Sequence, residues 1–401
     1  MFPPSLYVHV PFCAQKCGYC AFYSAPAEGE LVGRYVAALT RELQLIAPHF
    51  GRLAPATIFF GGGTPSLLNL SHWRTIFRAL ELHGLLGAAE FTVECNPATV
   101  SADKARLFRD HGVNRVSMGV QSLDDALLDR LGRVHSRDMV FRSYDTLRAA
   151  GFTSVNLDLM FAIPTQTLDV WRATLREALA FNAEHLSSYE VIYEDDTPLY
   201  EQLKAGRFAV DEDLACDMYD VLLEEASAAG LRQYEVANFA RHDGAANDEL
   251  PSFACRHNVG YWRGRPSVAC GPSATGFRPP LRTKNLANTR VYCDRLERGE
   301  RAVEWREELE PLACAGEMAA FGLRMNAGWP WEEFRQNTGF DLRAGWAAEI
   351  EALVARGWGE ADSHGFRLTA TGLRFADAAG MDFLRPGGPR RRRPAPAAVP
   401  A

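Results

Sequence analysis

The chain has 401 residues, 47% of them hydrophobic and 23% charged, with a formal net charge of -7 and nine cysteines. That length suits one large domain with a satellite, or two to three modest ones, and can bury a substantial core. An odd cysteine count at low density, with no signal-like segment before Cys13, excludes a disulfide-rich secreted module; no apolar run reaches the ~18 residues of a membrane span, and the acidic balance gives no general attraction to nucleic acid.

From residue 5 to about 240, short β-branched or aromatic runs alternate with longer segments of helical period. The runs at 6–10, 57–60, 90–94, 115–118, 154–159 and 186–191 are candidate strands. Between them, 32–47 places Val32, Tyr35, Val36, Leu39, Leu43 and Ile46 on one stripe, and 171–181 and 214–229 behave similarly. Six β-α repeats predict an α/β fold, a partial (β/α)6 TIM-like barrel over 1–240. Residues 241–303 break that rhythm and read as a connector carrying its own site. Residues 304–385 read as a small α-rich C-terminal domain ending in a short strand and helix. The tail, 386–401, holds four consecutive arginines, then Pro and Ala, and is expected to be disordered.

Cys13-Ala-Gln-Lys-Cys17-Gly-Tyr-Cys20 places three thiols within eight residues, directly after the first strand. Thiolates are soft ligands suited to zinc or iron-sulfur clusters. A closed zinc site needs four ligands, and no second pair follows; His9 belongs to the strand, where alternation points it into the barrel or the helix layer. Three thiolates on a short loop fit three corners of a [4Fe-4S] cluster and leave the fourth iron open. Reduced thiols of this kind belong in the cytoplasm.

Gly61-Gly62-Gly63-Thr64-Pro65 follows the second strand, and its glycines let the backbone approach a ligand closely. It is neither a Walker A loop nor a G-x-G-x-x-G turn. Polar residues close later strands: Glu94, Gln121 and Asp158. Barrel active sites gather at those strand ends, although any one buried carboxylate can instead cap a helix or pair an arginine.

C-x3-C-x2-C after a first strand resembles the cluster motif of the radical S-adenosylmethionine (SAM) proteins. Tyr7-Val-His-Val-Pro-Phe-Cys13 and the Gly61 loop are similar to the branch holding the oxygen-independent coproporphyrinogen III oxidases and the HemW-type heme chaperones. The resemblance implies a [4Fe-4S] cluster on Cys13, Cys17 and Cys20, with SAM on the open iron. It implies that Gly62, Gly63 and Thr64 line SAM and that Tyr7 and Glu94 contact it. Tyr19, Gln121, Arg133 and Asp158 match positions that hold a second SAM in the oxidases.

Within the branch, the oxidases carry a further cysteine two residues after the third ligand, where this chain has Phe22, and a long segment before the first strand. Both differences point to the chaperones, although Ala21 stands where an Asp is common there. Cys255-Arg-His257-Asn258-Val-Gly-Tyr261-Trp262 matches the H-N-x-x-Y-W motif associated with heme in the chaperones. Imidazole is a common axial ligand of heme iron, aromatic rings pack on porphyrin, and Arg256 or Arg263 suits a propionate. The plainer alternative is a segment whose His is satisfied by hydrogen bonds and whose Tyr and Trp dock on the barrel. Cys255 ranks below His257 as an iron ligand, and Cys270, Cys293 and Cys314 read as core residues. The expected partners are heme, a heme-acceptor protein that brings peripheral membrane contact, and a reductant such as flavodoxin or ferredoxin. The rival functions are a coproporphyrinogen III oxidase and a radical SAM methyltransferase.

Overall fold

A computed structural model describes residues 3–244, 250–387 and 393–394. Every predicted strand forms: β1 (Ser5–Val10), β2 (Thr57–Gly62), β3 (Glu90–Cys95), β4 (Arg115–Gln121), β5 (Val155–Phe161) and β6 (His185–Glu190). Each pairs in parallel with the next, and helices cover the outer side. The strands are buried on both faces, which explains their near-continuous apolar runs. The first helix, Gly29–Ile46, buries the predicted stripe against the sheet.

The expected boundary at residue 240 does not divide the sheet. β7 (Arg232–Glu235) pairs antiparallel with β8 (Asn238–Ala240), which turns back antiparallel on β6, and β9 (Ser267–Cys270) pairs in parallel with the free side of β1. The parallel sheet therefore runs β9-β1-β2-β3-β4-β5-β6. β10 (Thr275–Arg278), β11 (Leu281–Asn285) and β12 (Val303–Glu308) extend it antiparallel beyond β9. Gly271 allows this: its φ is +93° and a Cβ would overlap the His9 carbonyl.

The stretch read as an aperiodic connector also carries a seven-residue helix, Arg256–Trp262, which closes the barrel at the N-terminal ends of its strands. The C-terminal part has its own core around Trp329, Phe334, Trp346 and Phe383. It is mostly helical, with a small sheet of Trp329–Pro330, Gly365–Leu368 and Gly359–Ala361. The expectation of a disordered tail falls almost wholly outside the described residues. No helix among those described is long and apolar enough to cross a membrane.

Candidate functional site

The strands' C-terminal ends surround a cavity of about 510 Å³ whose walls run from Tyr7 and Glu94 at the top to Arg115, His185 and His257 at the floor. The cluster loop leaves β1 at its rim. Tyr7 and His9, two apart on β1, both point inward, and the Tyr7 hydroxyl lies 3.1 Å from His9 Nδ1. His9 Nε2 binds the Tyr23 carbonyl at 2.8 Å, fastening the far end of the cysteine loop to the strand.

Cys13, Cys17 and Cys20 are each part-exposed and free. Thr64 and Ser24 hydroxyls donate to the Cys13 sulfur, the Phe22 N–H donates to Cys20, and Arg133 Nη1 lies 3.5 Å from Cys17 Sγ. Burial raises the Cys13 and Cys20 thiol pKa values, and the neighbouring thiols raise them further. Three sulfurs ringed by donors suit bound thiolates, whose charge the donors and a metal would offset. Among the described residues no three Cys, His, Asp or Glu side chains converge on a point, as a single ion would need. A cluster binds each thiolate through a different iron and requires no such convergence.

The glycine loop is shaped by protein neighbours. Gly62 has φ +103° and a Cβ there would overlap the His9 ring; at Gly63 a Cβ would meet the Val10 and Phe12 carbonyls at 2.7 Å. These glycines let β2 cross beneath the cysteine loop, and Gly62 still lines the cavity. The Gly62 N–H donates to Glu94 at 3.1 Å. Burial and the nearby Asp158 push the Glu94 carboxyl up to about 8. Asp158 accepts from Asn156 at 2.7 Å and Ser117 at 3.1 Å, and burial raises its pKa too. Two acids facing one cavity suit a cationic ligand, which would restore both to their charged form.

Tyr19, Gln121 and Arg133 gather on the cluster side of β4. The Arg133 guanidinium reaches the Gly119 carbonyl at 2.6 Å and, with Gln121, lies against Gly119, where a larger residue would crowd both. Gln121 has φ +65°, and its Oε1 and Arg133 Nε are buried without partners. Orphaned polar atoms held by a strained backbone fit a polar ligand such as SAM.

The floor holds a residue set that sequence reasoning missed. Ser5, Thr57, Glu90, Arg115, Asn156 and His185 sit at or near the starts of their strands, and Thr57 and Glu90 bond the Arg256–Trp262 helix directly. The Glu90 carboxylate accepts the Arg256 and His257 N–H groups, each at 2.9 Å, capping that helix. Tyr234 OH accepts the Cys255 N–H at 3.1 Å and lies 2.9 Å from His185 Nε2.

His257 is satisfied by hydrogen bonds, as the plainer alternative for this segment expects. Its ring is 1% exposed, stacks on Phe59 at 5.0 Å and engages both nitrogens: Nδ1 with Thr57 at 2.7 Å, Nε2 with Tyr261 OH at 3.0 Å. Burial lowers its pKa to about 3, so it is neutral. Thr57 donates to Ser5, so Thr57 accepts from His257 Nδ1–H and Nε2 accepts from Tyr261. His257 and Tyr261, four apart, share the cavity face, whereas Trp262 turns away to Phe321 and lies under Arg324. Trp262 is thus not part of the cavity. Nor is Arg263, which binds the Gly328 carbonyl and covers Trp329, and Arg256 is exposed. Burial pushes the Cys255 thiol up to about 12, far from a ready thiolate. Cys270, Cys293 and Cys314 are buried as expected.

Residues 7–178 match the radical SAM superfamily, and residues 309–375 match the HemN C-terminal domain. The chain is 32% identical to the heme chaperone HemW of Bacillus subtilis over 358 residues, covering 88% of this chain and 92% of that protein. It is 33% identical to the heme chaperone HemW of Mycobacterium tuberculosis over 375 residues, covering 92% and 91%. Among solved structures, the coproporphyrinogen III oxidase HemN of Escherichia coli, described as a radical SAM enzyme, superposes with a TM-score of 0.81 at 23% identity, over 95% of this chain and 90% of that one. That superposition shows a shared fold. Together with the family matches, the end-to-end likeness to HemW proteins shows that the chain belongs to the HemN/HemW branch of the radical SAM superfamily.

Proposed function

We propose that this protein is a heme chaperone that carries a [4Fe-4S] cluster on Cys13, Cys17 and Cys20, binds SAM beside it, and hands heme to an acceptor protein. The observation that carries this reading is the end-to-end likeness to proteins named heme chaperones, 92% of the Bacillus subtilis protein being covered. Phe22, 68% exposed at the cavity mouth, supports it, because a thiol would stand there in the oxidases.

When bound, such a cluster supplies an electron to the sulfonium of SAM. The chain's own residues do the holding. Tyr7, Gly62 and Glu94 line the cavity beside the cluster loop, with Glu94 as counter-charge for a cationic ligand. Thr64 steadies Cys13 and does not itself line the cavity. Arg133, Gln121, Tyr19 and Asp158 provide a second polar patch suited to another SAM. For heme, His257 Nε2 is the ring nitrogen paired with the cavity-lining Tyr261, and it becomes a ligand when the Tyr261 hydroxyl leaves it.

Hemin titration followed by Soret absorption tests the heme reading. Tyr261→Phe removes the competing hydroxyl, a hydrogen bond of about 1 kcal/mol, and tightens binding about fivefold. His257→Ala weakens it. Equal affinity in wild type and both variants would rule out His257 as the ligand, and absence of hemin binding would rule out the chaperone.

The rival reading is an oxygen-independent coproporphyrinogen III oxidase, in which the same pair of cavity acids would serve SAM. It uses the same cysteines.

A further inference from the structure

The cavity floor holds one cation that none of the roles above employs. Arg115 opens β4, is 4% exposed and lines the cavity. Its hydrogen bonds all leave from Nη1, to Ser154 Oγ and to the Phe253 carbonyl, each at 3.2 Å. A guanidinium has five N–H donors, so the Nε–Nη2 edge, the side that receives a carboxylate bidentately, has no acceptor among the described residues. Both partners of Arg115 are neutral oxygens, and it forms no ion pair with a carboxylate of the described residues. Glu90 and Asp158 are near enough to feel its charge but are committed, Glu90 to the helix N–H groups and Asp158 to Asn156 and Ser117. The Asn258 carboxamide lines the same cavity and has no side-chain partner among the described residues.

Taking a guanidinium out of water costs several kcal/mol unless its donors are met. The upper wall of the cavity, with Glu94 and Asp158, is acidic and suits a cation. The floor, with Arg115, neutral donors and a Glu90 whose carboxylate is already taken up by two helix N–H groups, suits an anion. We infer that Arg115 is the anchor of a carboxylate-binding subsite at the barrel floor, with Asn258 beside it, which receives an acid group of the molecule filling the cavity. Two sources share that chemistry: a porphyrin propionate, which rests on the heme reading, and the methionyl carboxylate of a second SAM. The subsite itself rests on neither.

The test uses the full, cluster-reconstituted chain. Sodium propionate, compared with sodium chloride at equal ionic strength, raises the melting temperature of wild type by linkage and leaves Arg115→Gln unmoved. Arg115→Lys keeps part of the shift, and Asn258→Asp, which puts a carboxylate at the floor without touching the Phe253 contact, abolishes it. A merely structural Arg115 would lower every melting temperature and leave the propionate increment intact, and that result overturns the inference. So does the lack of a propionate-specific increment in wild type. The second arm compares hemin with hemin dimethyl ester, and SAM binding in wild type with that in Arg115→Gln. A preference of tenfold or more for the diacid, collapsing in Arg115→Gln, assigns the site to a propionate; a tenfold loss of SAM affinity instead assigns it to the methionyl group. Where hemin binds, discrimination in neither overturns it. A chain that binds no hemin yet keeps the propionate increment rules out the heme chaperone and upholds the subsite.

Discussion

Replacing Glu94 with Gln should stabilise the cluster-free protein while removing its affinity for SAM. The Gly62 N–H still finds an acceptor in the Gln carbonyl, so the β2–β3 contact survives. In wild type the folded carboxyl is raised from 4.5 to about 8, by burial first and by Asp158 second. A raised acid binds its proton more tightly folded than unfolded, so stability falls as pH climbs above the unfolded value and levels off above the folded one. Full linkage over two and a half pH units would cost roughly 3 kcal/mol at about pH 7. Because Glu94 borders a cavity that admits water, about 1–2 kcal/mol is the better expectation. Urea unfolding of both proteins, run anaerobically at about pH 5 and about pH 9, reads the difference. The two should be equally stable at the lower pH, with Glu94→Gln more stable at the higher one. Parallel pH profiles would refute the assignment of the raised carboxyl to Glu94. Binding of SAM to the reconstituted protein supplies the converse: the charge that costs stability in the empty cavity is what a sulfonium or ammonium group uses.

Gly62→Ala combines a positive φ with overlap of the His9 ring and should cost about 3 kcal/mol, read as a lower urea midpoint at unchanged slope. Glu90→Ala removes the acceptor of two helix N–H groups and should cost about 2 kcal/mol in the same assay, with faster amide exchange confined to 255–262. Cys17→Ser should reduce iron after anaerobic reconstitution from about four per chain to near zero, and retention of a full complement would exclude Cys17 as a ligand. His257→Gln should destabilise the protein even without heme, by about 2 kcal/mol, because the ring stacks on Phe59 and ties Thr57 to Tyr261.

The barrel half of the fold was legible because each strand, buried on both faces, is a compact apolar run flanked by a helix with one apolar stripe. The cysteine spacing marked the cluster loop for the same kind of reason, a chemistry that tolerates few substitutes. The floor was not legible. Glu90 and the helix it caps are more than 160 residues apart, and Arg115 and Thr57 read as ordinary strand-initial residues. His257 and Tyr261 have helical spacing, but the helix is too short to show a period, so the segment read as a connector with no helix of its own. The same blindness affects the glycines at 61–63: the chain shows a tight loop, and only the fold shows that His9 and two carbonyls make it tight. β9 escaped because a parallel partner for β1 arrives after an aromatic, Gly-rich stretch with no alternation.

The most direct test of the chaperone reading is an anaerobic assay of the reconstituted, SAM-loaded protein with coproporphyrinogen III, products separated by chromatography. A heme chaperone with Phe22 at its cavity mouth returns the tetracarboxylic substrate unchanged; conversion to the dicarboxylic protoporphyrinogen would contradict it and assign the cavity to the oxidase.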